Sequence, residues 1–270
     1  MFIISIFQYE FIQRAFITGL IVAVLCSVLG LFLVLRRLSL IGDGLSHVSF
    51  GAVALGLFFG LLPIYTAIPI VVLGALAILA LTGKTKVYGD AAIGIVSAVS
   101  IAGGVILISI SHGFNIDIMS YLFGNILVIS KSEMYMSIAL SIVILFIIFF
   151  FYYDLFSVTF NEEHARVVGI NVKIINSMLV VITAITVVLS IRVVGIMLIS
   201  AFLILPAVTA LQIAKSFKAA IFISALTSVI AVIIGILMSF LLNIPSGATI
   251  VMINFILLLL ALGYRKIIPK

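Results

Sequence analysis

Asp43 and His47 stand where ionisable side chains are rare. Both lie in GDGLSHVSFG, a glycine-rich stretch of an otherwise apolar run, and charge in such surroundings is costly unless it faces a cavity or a partner. A spacing of four puts the two side chains on one face of a helix, so a carboxylate oxygen and an imidazole nitrogen converge. That oxygen–nitrogen pair suits a borderline divalent cation such as zinc or manganese. The plainer alternative is that Asp43 caps a helix and His47 hydrogen-bonds to it; the two roles are compatible. Two ligands make a weak site, which suits passage better than storage. Two copies of the chain meeting face to face would offer four ligands, two Asp43 and two His47.

The elements that must position this pair are membrane helices. Of 270 residues, 66% are apolar and only 8% charged, and the mean hydropathy is +1.54, far outside the range of soluble domains. Apolar runs of spanning length fall at 12–35, 45–62, 64–82, 91–110, 134–153, 173–191, 193–214, 219–242 and 247–264. The fold class is therefore all-α, a polytopic bundle of about nine spans forming one transmembrane domain over 1–270. With the N-terminus outside, eleven of the fourteen Lys and Arg residues fall on the cytoplasmic side; only Arg14, Lys131 and Arg192 fall opposite. That bias needs an odd number of crossings and a cytoplasmic C-terminus. The net charge of +6 thus reports topology and excludes nucleic-acid binding. The single cysteine, Cys26, excludes a disulfide framework and a cysteine metal site.

Three segments do not read as plain crossings. From Leu38 to Gly44 the chain re-enters the membrane through Ser39, Gly42, Asp43 and Gly44, which predicts an unwound start to the second span. Residues 111–130 are too polar to cross and read as an outer-edge helix; His112 and Asp117 there, with Asn243 in the turn Asn243-Ile244-Pro245-Ser246-Gly247, are candidates for an outer-side pathway. The stretch 154–171 is a cytoplasmic loop with a short helix inside it. Asn161 is its N-cap, Glu162 and Glu163 fill the first turn, His164 to Val168 continue it, and Gly169 stops it. Such a helix is either a plain connector or the minimal element for docking a soluble motor. Gly83-Lys84-Thr85 is not a phosphate loop, because Ile78 stands where the pattern needs glycine. Energy must come from an ion gradient or a partner. Farther on, Pro206 predicts a kink.

Five motifs in order, RRLSLIGDGLSHVSFGAVALG, DIMSYLFGNIL, FNEEHARVVGI, VGIMLISAFLILPAVTA and PSGATIV, resemble the membrane permease of bacterial zinc/manganese ABC importers. The likeness extends over nearly the whole chain. It implies a homodimeric permease in the bacterial cell membrane, served by a cytoplasmic ABC ATPase dimer and an extracytoplasmic metal-binding protein. It also implies that Asp43 and His47 are pathway ligands and that Glu162, Glu163, His164, Ala165, Arg166, Val167, Val168 and Gly169 form the coupling helix that seats in the ATPase. Family members often carry aspartate before the Pro-Ser-Gly turn; Asn243 offers a weaker amide ligand.

The reading is a transport subunit, not an enzyme, that holds no permanent cofactor and passes Zn2+ inward, with Mn2+ or Fe2+ as second choices. Its rival is a stand-alone ion-coupled carrier or channel. An intramembrane metalloenzyme is disfavoured, since three scattered histidines form no His-Glu-x-x-His pattern.

Overall fold

In lipid every backbone polar group must be satisfied within its own segment, so long apolar runs fold as helices. The computed structural model of the chain describes residues 9–84, 88–111 and 118–267. Its elements are α1 (Glu10–Leu35), α2 (Ser39–Phe58), α3 (Pro63–Lys84), α4 (Gly89–Ile110), α5 (Ile118–Phe123), α6 (Lys131–Phe150), α7 (Tyr152–Phe160), α8 (Glu162–Val167), α9 (Val172–Val194), α10 (Ile199–Ile213), α11 (Phe217–Leu242) and α12 (Ser246–Ile267). Short 3-10 turns lie at Ile126–Val128 and Ile196–Leu198. Among the described residues nine helices are long and apolar enough to cross a membrane, the number that the apolar runs predict.

Helix ends follow local chemistry. At the end of α2 the Leu61 amide donates to the Gly56 carbonyl and the Gly60 amide to Leu57, around Gly60 at φ 66°; this is a glycine stop. Pro63 then opens α3, where its missing N–H costs nothing. Ser216 caps α11 by accepting from the Ala219 amide, and Asn243 ends that helix in the left-handed conformation. The charge at Arg192 does not separate two spans: α9 continues through it to Val194, and the break comes at Gly195, whose φ is 88°.

The chain divides into two compact units. One comprises residues 1–34, 119–145 and 190–270, and so holds most of α1, the start of α6 and all of α10, α11 and α12. The other comprises 35–118 and 146–189, and holds α2, α3, α4, α7, α8 and most of α9. Helices in lipid gain little from burying apolar surface against one another, so close approach at small residues does the packing. In the first unit Gly30 of α1 lies against the Leu203 carbonyl of α10, and Gly235 of α11 against Ile250 of α12. In the second, Gly51 of α2 meets the Ser100 carbonyl of α4, and Gly74 of α3 meets the Val48 side chain of α2.

A methyl group at Gly30 collides with backbone, which no rotamer change relieves. Gly30→Ala therefore costs about 1–3 kcal/mol or more and lowers the thermal unfolding midpoint of the detergent-purified protein. Gly263→Ala on α12, where the added Cβ meets open space, does not lower the midpoint and raises it slightly, because alanine is the better helix former.

Candidate functional site

α2 begins at Ser39, with Leu38 before it supplying no side-chain cap. Asp43 and His47 therefore sit in its second and third turns. The helix is unbroken from Ser39 to Phe58, so the unwound start predicted between Leu38 and Gly44 does not exist. Gly42 and Gly44 are buried helical residues; Gly44 is small because Ile93 of α4 occupies the space a Cβ would need, and the Gly44 carbonyl accepts from Ser97 Oγ at 3.3 Å. Gly44 serves helix contact rather than unwinding. The capping alternative for Asp43 fails for the same reason, since the helix starts four residues earlier.

Asp43 Oδ2 and His47 Nε2 are 3.7 Å apart, with side chains 48% and 27% exposed. That separation is too long for a hydrogen bond. It is close to the spacing two ligands adopt around one ion: metal–ligand distances near 2.1 Å at a tetrahedral angle place the donor atoms about 3.4 Å apart. Neighbouring hydroxyls are committed elsewhere, Ser46 Oγ donating to the Asp43 carbonyl at 2.7 Å and Ser49 Oγ to the Ser46 carbonyl at 2.5 Å. Among the described residues no third His, Cys, Asp or Glu completes a metal-binding group.

The short helix α8 forms as its punctuation predicts. Asn161 Oδ1 accepts from the His164 amide at 2.9 Å, and Gly169 ends the element at φ 92° while the Ile170 amide donates to the Ala165 carbonyl. Ala165 is fully buried, whereas Glu163, His164, Arg166, Val167 and Val168 are exposed. The helix thus presents two valines and mixed charge to its surroundings. Glu162, partly exposed, is held by two arginines: Arg36 Nη2, just after the end of α1, donates to its Oε1 at 2.6 Å, and Arg166 Nη2 lies 3.7 Å from its Oε2.

Of the outer-side candidates, Asn243 takes a backbone role as the exposed, left-handed end of α11. His112 and Asp117 lie outside the described residues. α5 occupies part of the segment read as an outer-edge helix, and it contributes to a polar cluster that local sequence does not reveal. Arg192 Nε donates to Glu133 Oε1 at 3.0 Å and Nη2 to the Tyr121 hydroxyl at 2.9 Å, with the guanidinium 4.3 Å from the Tyr121 ring centre. Glu133 Oε2 accepts from the Ser130 amide and hydroxyl. Burial pushes the Tyr121 phenol above its ordinary value, and Arg192 pulls against that rise.

Residues 8–265 match the model of the ABC 3 transport family. The chain belongs to this family. The family match spans α1 to α12 and so includes the Asp43–His47 pair and α8. The chain is a multi-pass membrane protein and a transport subunit of the metal ABC permease class, as its motifs imply. It is 32% identical over 261 residues to the manganese transport system membrane protein MntC of Listeria monocytogenes, covering 97% of this chain and 93% of that relative. It is 30% identical over 260 residues to the high-affinity zinc uptake system membrane protein ZnuB of Haemophilus influenzae, covering 96% and 99%. Among solved structures it resembles PsaBC from Streptococcus pneumoniae, in complex with Fab, with a TM-score of 0.88, 32% identity and 98% of both chains covered.

Proposed function

We propose that this chain is the membrane permease of an ATP-driven importer of divalent metal, zinc first, moving the ion inward along a pathway between two copies of the chain. The observation that carries the reading is the Asp43–His47 pair. It offers one oxygen and one nitrogen, one helical turn apart, accessible and not bonded to each other. Half a ligand set on each protomer becomes a four-ligand set when two protomers face each other, and it is dismantled when they separate. This gives a site that can release its ion.

The choice of zinc rests on the ligands. Imidazole nitrogen suits zinc, whereas manganese is better served by oxygen ligands in octahedral sites. Relatives named for manganese and for zinc are almost equally similar to the chain, so sequence likeness does not separate the two ions. Manganese or iron import by the same machinery is the second reading.

In this proposal the N-terminus is outside and the C-terminus cytoplasmic, following the distribution of Lys and Arg. The ion arrives from an extracytoplasmic metal-binding protein, and a cytoplasmic ABC ATPase dimer docks on α8. Closure of the ATPase then rearranges the spans. The permease itself binds and releases, and no covalent step is assigned to it.

The deciding experiment is uptake by liposomes containing the permease, alone or with its ATPase and binding protein, with zinc and manganese supplied in parallel. Zinc accumulation that requires all three proteins and ATP, and that exceeds manganese accumulation at equal concentration, is the expected result. Uptake by the chain alone under an ion gradient would replace the motor-driven reading with a stand-alone carrier, and preference for manganese would reassign the cargo.

A further inference from the structure

Arg36 lies between two elements that transport must connect. Its side chain is 6% exposed, and its Nη2 holds Glu162, the first residue of α8, at 2.6 Å. Only Arg36, Arg37 and Leu38 separate the last residue of α1 from the first of α2, and Arg37 makes the turn in the left-handed conformation at φ 57°. So short and bent a connection has little slack. α2 is one unbroken helix, which places Asp43 about 6 Å and His47 about 12 Å along the axis from its first residue. A displacement of the start of α2 is therefore carried rigidly to both.

We propose that Arg36 is a positioning residue for transport: through its bond to Glu162 it passes movement of α8 to the start of α2, and so to Asp43 and His47. This rests on the reading of α8 as the helix that docks the ATPase. Two further observations favour a link that moves over one that only braces. Beside the ion pair lies a half-open cavity of about 590 Å³, lined by Arg36, Ile41, Asp90, Glu162 and Asn176 among others, so the pair borders space rather than packed side chains. Two buried atoms of the residues lining this cavity have no hydrogen-bond partner, Arg36 Nη1 and Asn176 Oδ1. One is a donor and the other an acceptor. Buried polar groups are nearly always paired within the protein or with water, and a rearrangement that brought this donor and this acceptor together would satisfy both. The arrangement fits one position of a two-position element, with Glu162 as the handle and Asn176 as the second stop.

The test uses the full importer, permease with ATPase and binding protein, in liposomes, and reads ATP hydrolysed per zinc ion moved, with manganese run in parallel. Arg36→Gln raises that ratio at least fivefold, and Arg36→Lys, which keeps the charge and most of the reach, restores at least half of the lost coupling. Asn176→Leu, which removes the acceptor, slows uptake at least threefold. A bracing role would give loss of assembly or no effect, without a changed ratio. Should Arg36→Gln fail to assemble, Glu162→Gln removes the same bond from its more exposed side and is read by the same ratio. A wild-type ratio in the assembled variant, or Arg36→Lys no better than Arg36→Gln, overturns the proposal. Ala165→Pro separates it from the reading beneath it: coupling that survives that change sinks the docking role of α8, whereas loss of coupling there with a normal ratio in Arg36→Gln sinks the relay alone.

Discussion

Asp43→Asn and His47→Ala each reduce zinc uptake by the assembled importer at least tenfold, with no loss of the permease from its complex with the ATPase. Both side chains are partly exposed and neither is engaged in a hydrogen bond with the other. Removing one therefore leaves no buried partner stranded, and the fold has little to lose. In the proposed dimer the substitution is present in both copies, so the ion would lose two of its four ligands. Even changes to the groups that merely orient metal ligands cost roughly 10–100-fold in affinity, and loss of a ligand costs at least that. Asp43→Asn is the sharper of the two, because it keeps the shape while replacing the charged carboxylate with a neutral amide, a much weaker cation ligand. Growth of a strain dependent on this importer in metal-depleted medium, together with co-purification of the ATPase, reads both halves of the prediction. Normal uptake in either variant removes the ligand assignment.

The membrane architecture was legible because it depends on sums over many residues. Nine apolar runs map onto nine helices of spanning length among the described residues, and the short helix α8 appears between the residues whose punctuation predicts it, Asn161 and Gly169. Local pattern misled where tertiary contact decides. Gly42 and Gly44 read as an unwound entrance to the second span, yet α2 runs straight through them; Gly44 is small because Ile93 of α4 presses against it. A glycine required for helix approach and one required for unwinding are identical in one dimension. The same limit hides polar clusters assembled from distant segments. Arg192 looks like an isolated charge between two apolar runs, but its partners Glu133 and Tyr121 stand 59 and 71 residues away. Arg36 meets Glu162 across 126 residues. No spacing rule joins such pairs, whereas Asp43 and His47 were found because one helical turn is written directly into their numbering.

Ala165→Pro reduces zinc uptake by the complete importer at least tenfold and separates whatever ATP hydrolysis remains from transport. α8 is six residues long, too short to be stable by helix propagation alone, and it depends on its ends: Asn161 at the start and the turn at Gly169. Proline at 165 removes the bond from the Ala165 amide to the Asn161 carbonyl, 3.1 Å in length, and its ring crowds that same carbonyl, a change worth about 3 kcal/mol or more within a helix. The damage is confined to a short element outside the nine candidate spans found among the described residues, so the permease still inserts and folds. What is lost is the fixed presentation of Val167 and Val168, 85% and 64% exposed, together with the charges of Glu163 and Arg166. Co-purification of the ATPase with the variant, measured alongside uptake, checks the outcome. ATPase binding and zinc transport that both survive the proline would mean that α8 is a connector and that the motor grips the permease elsewhere.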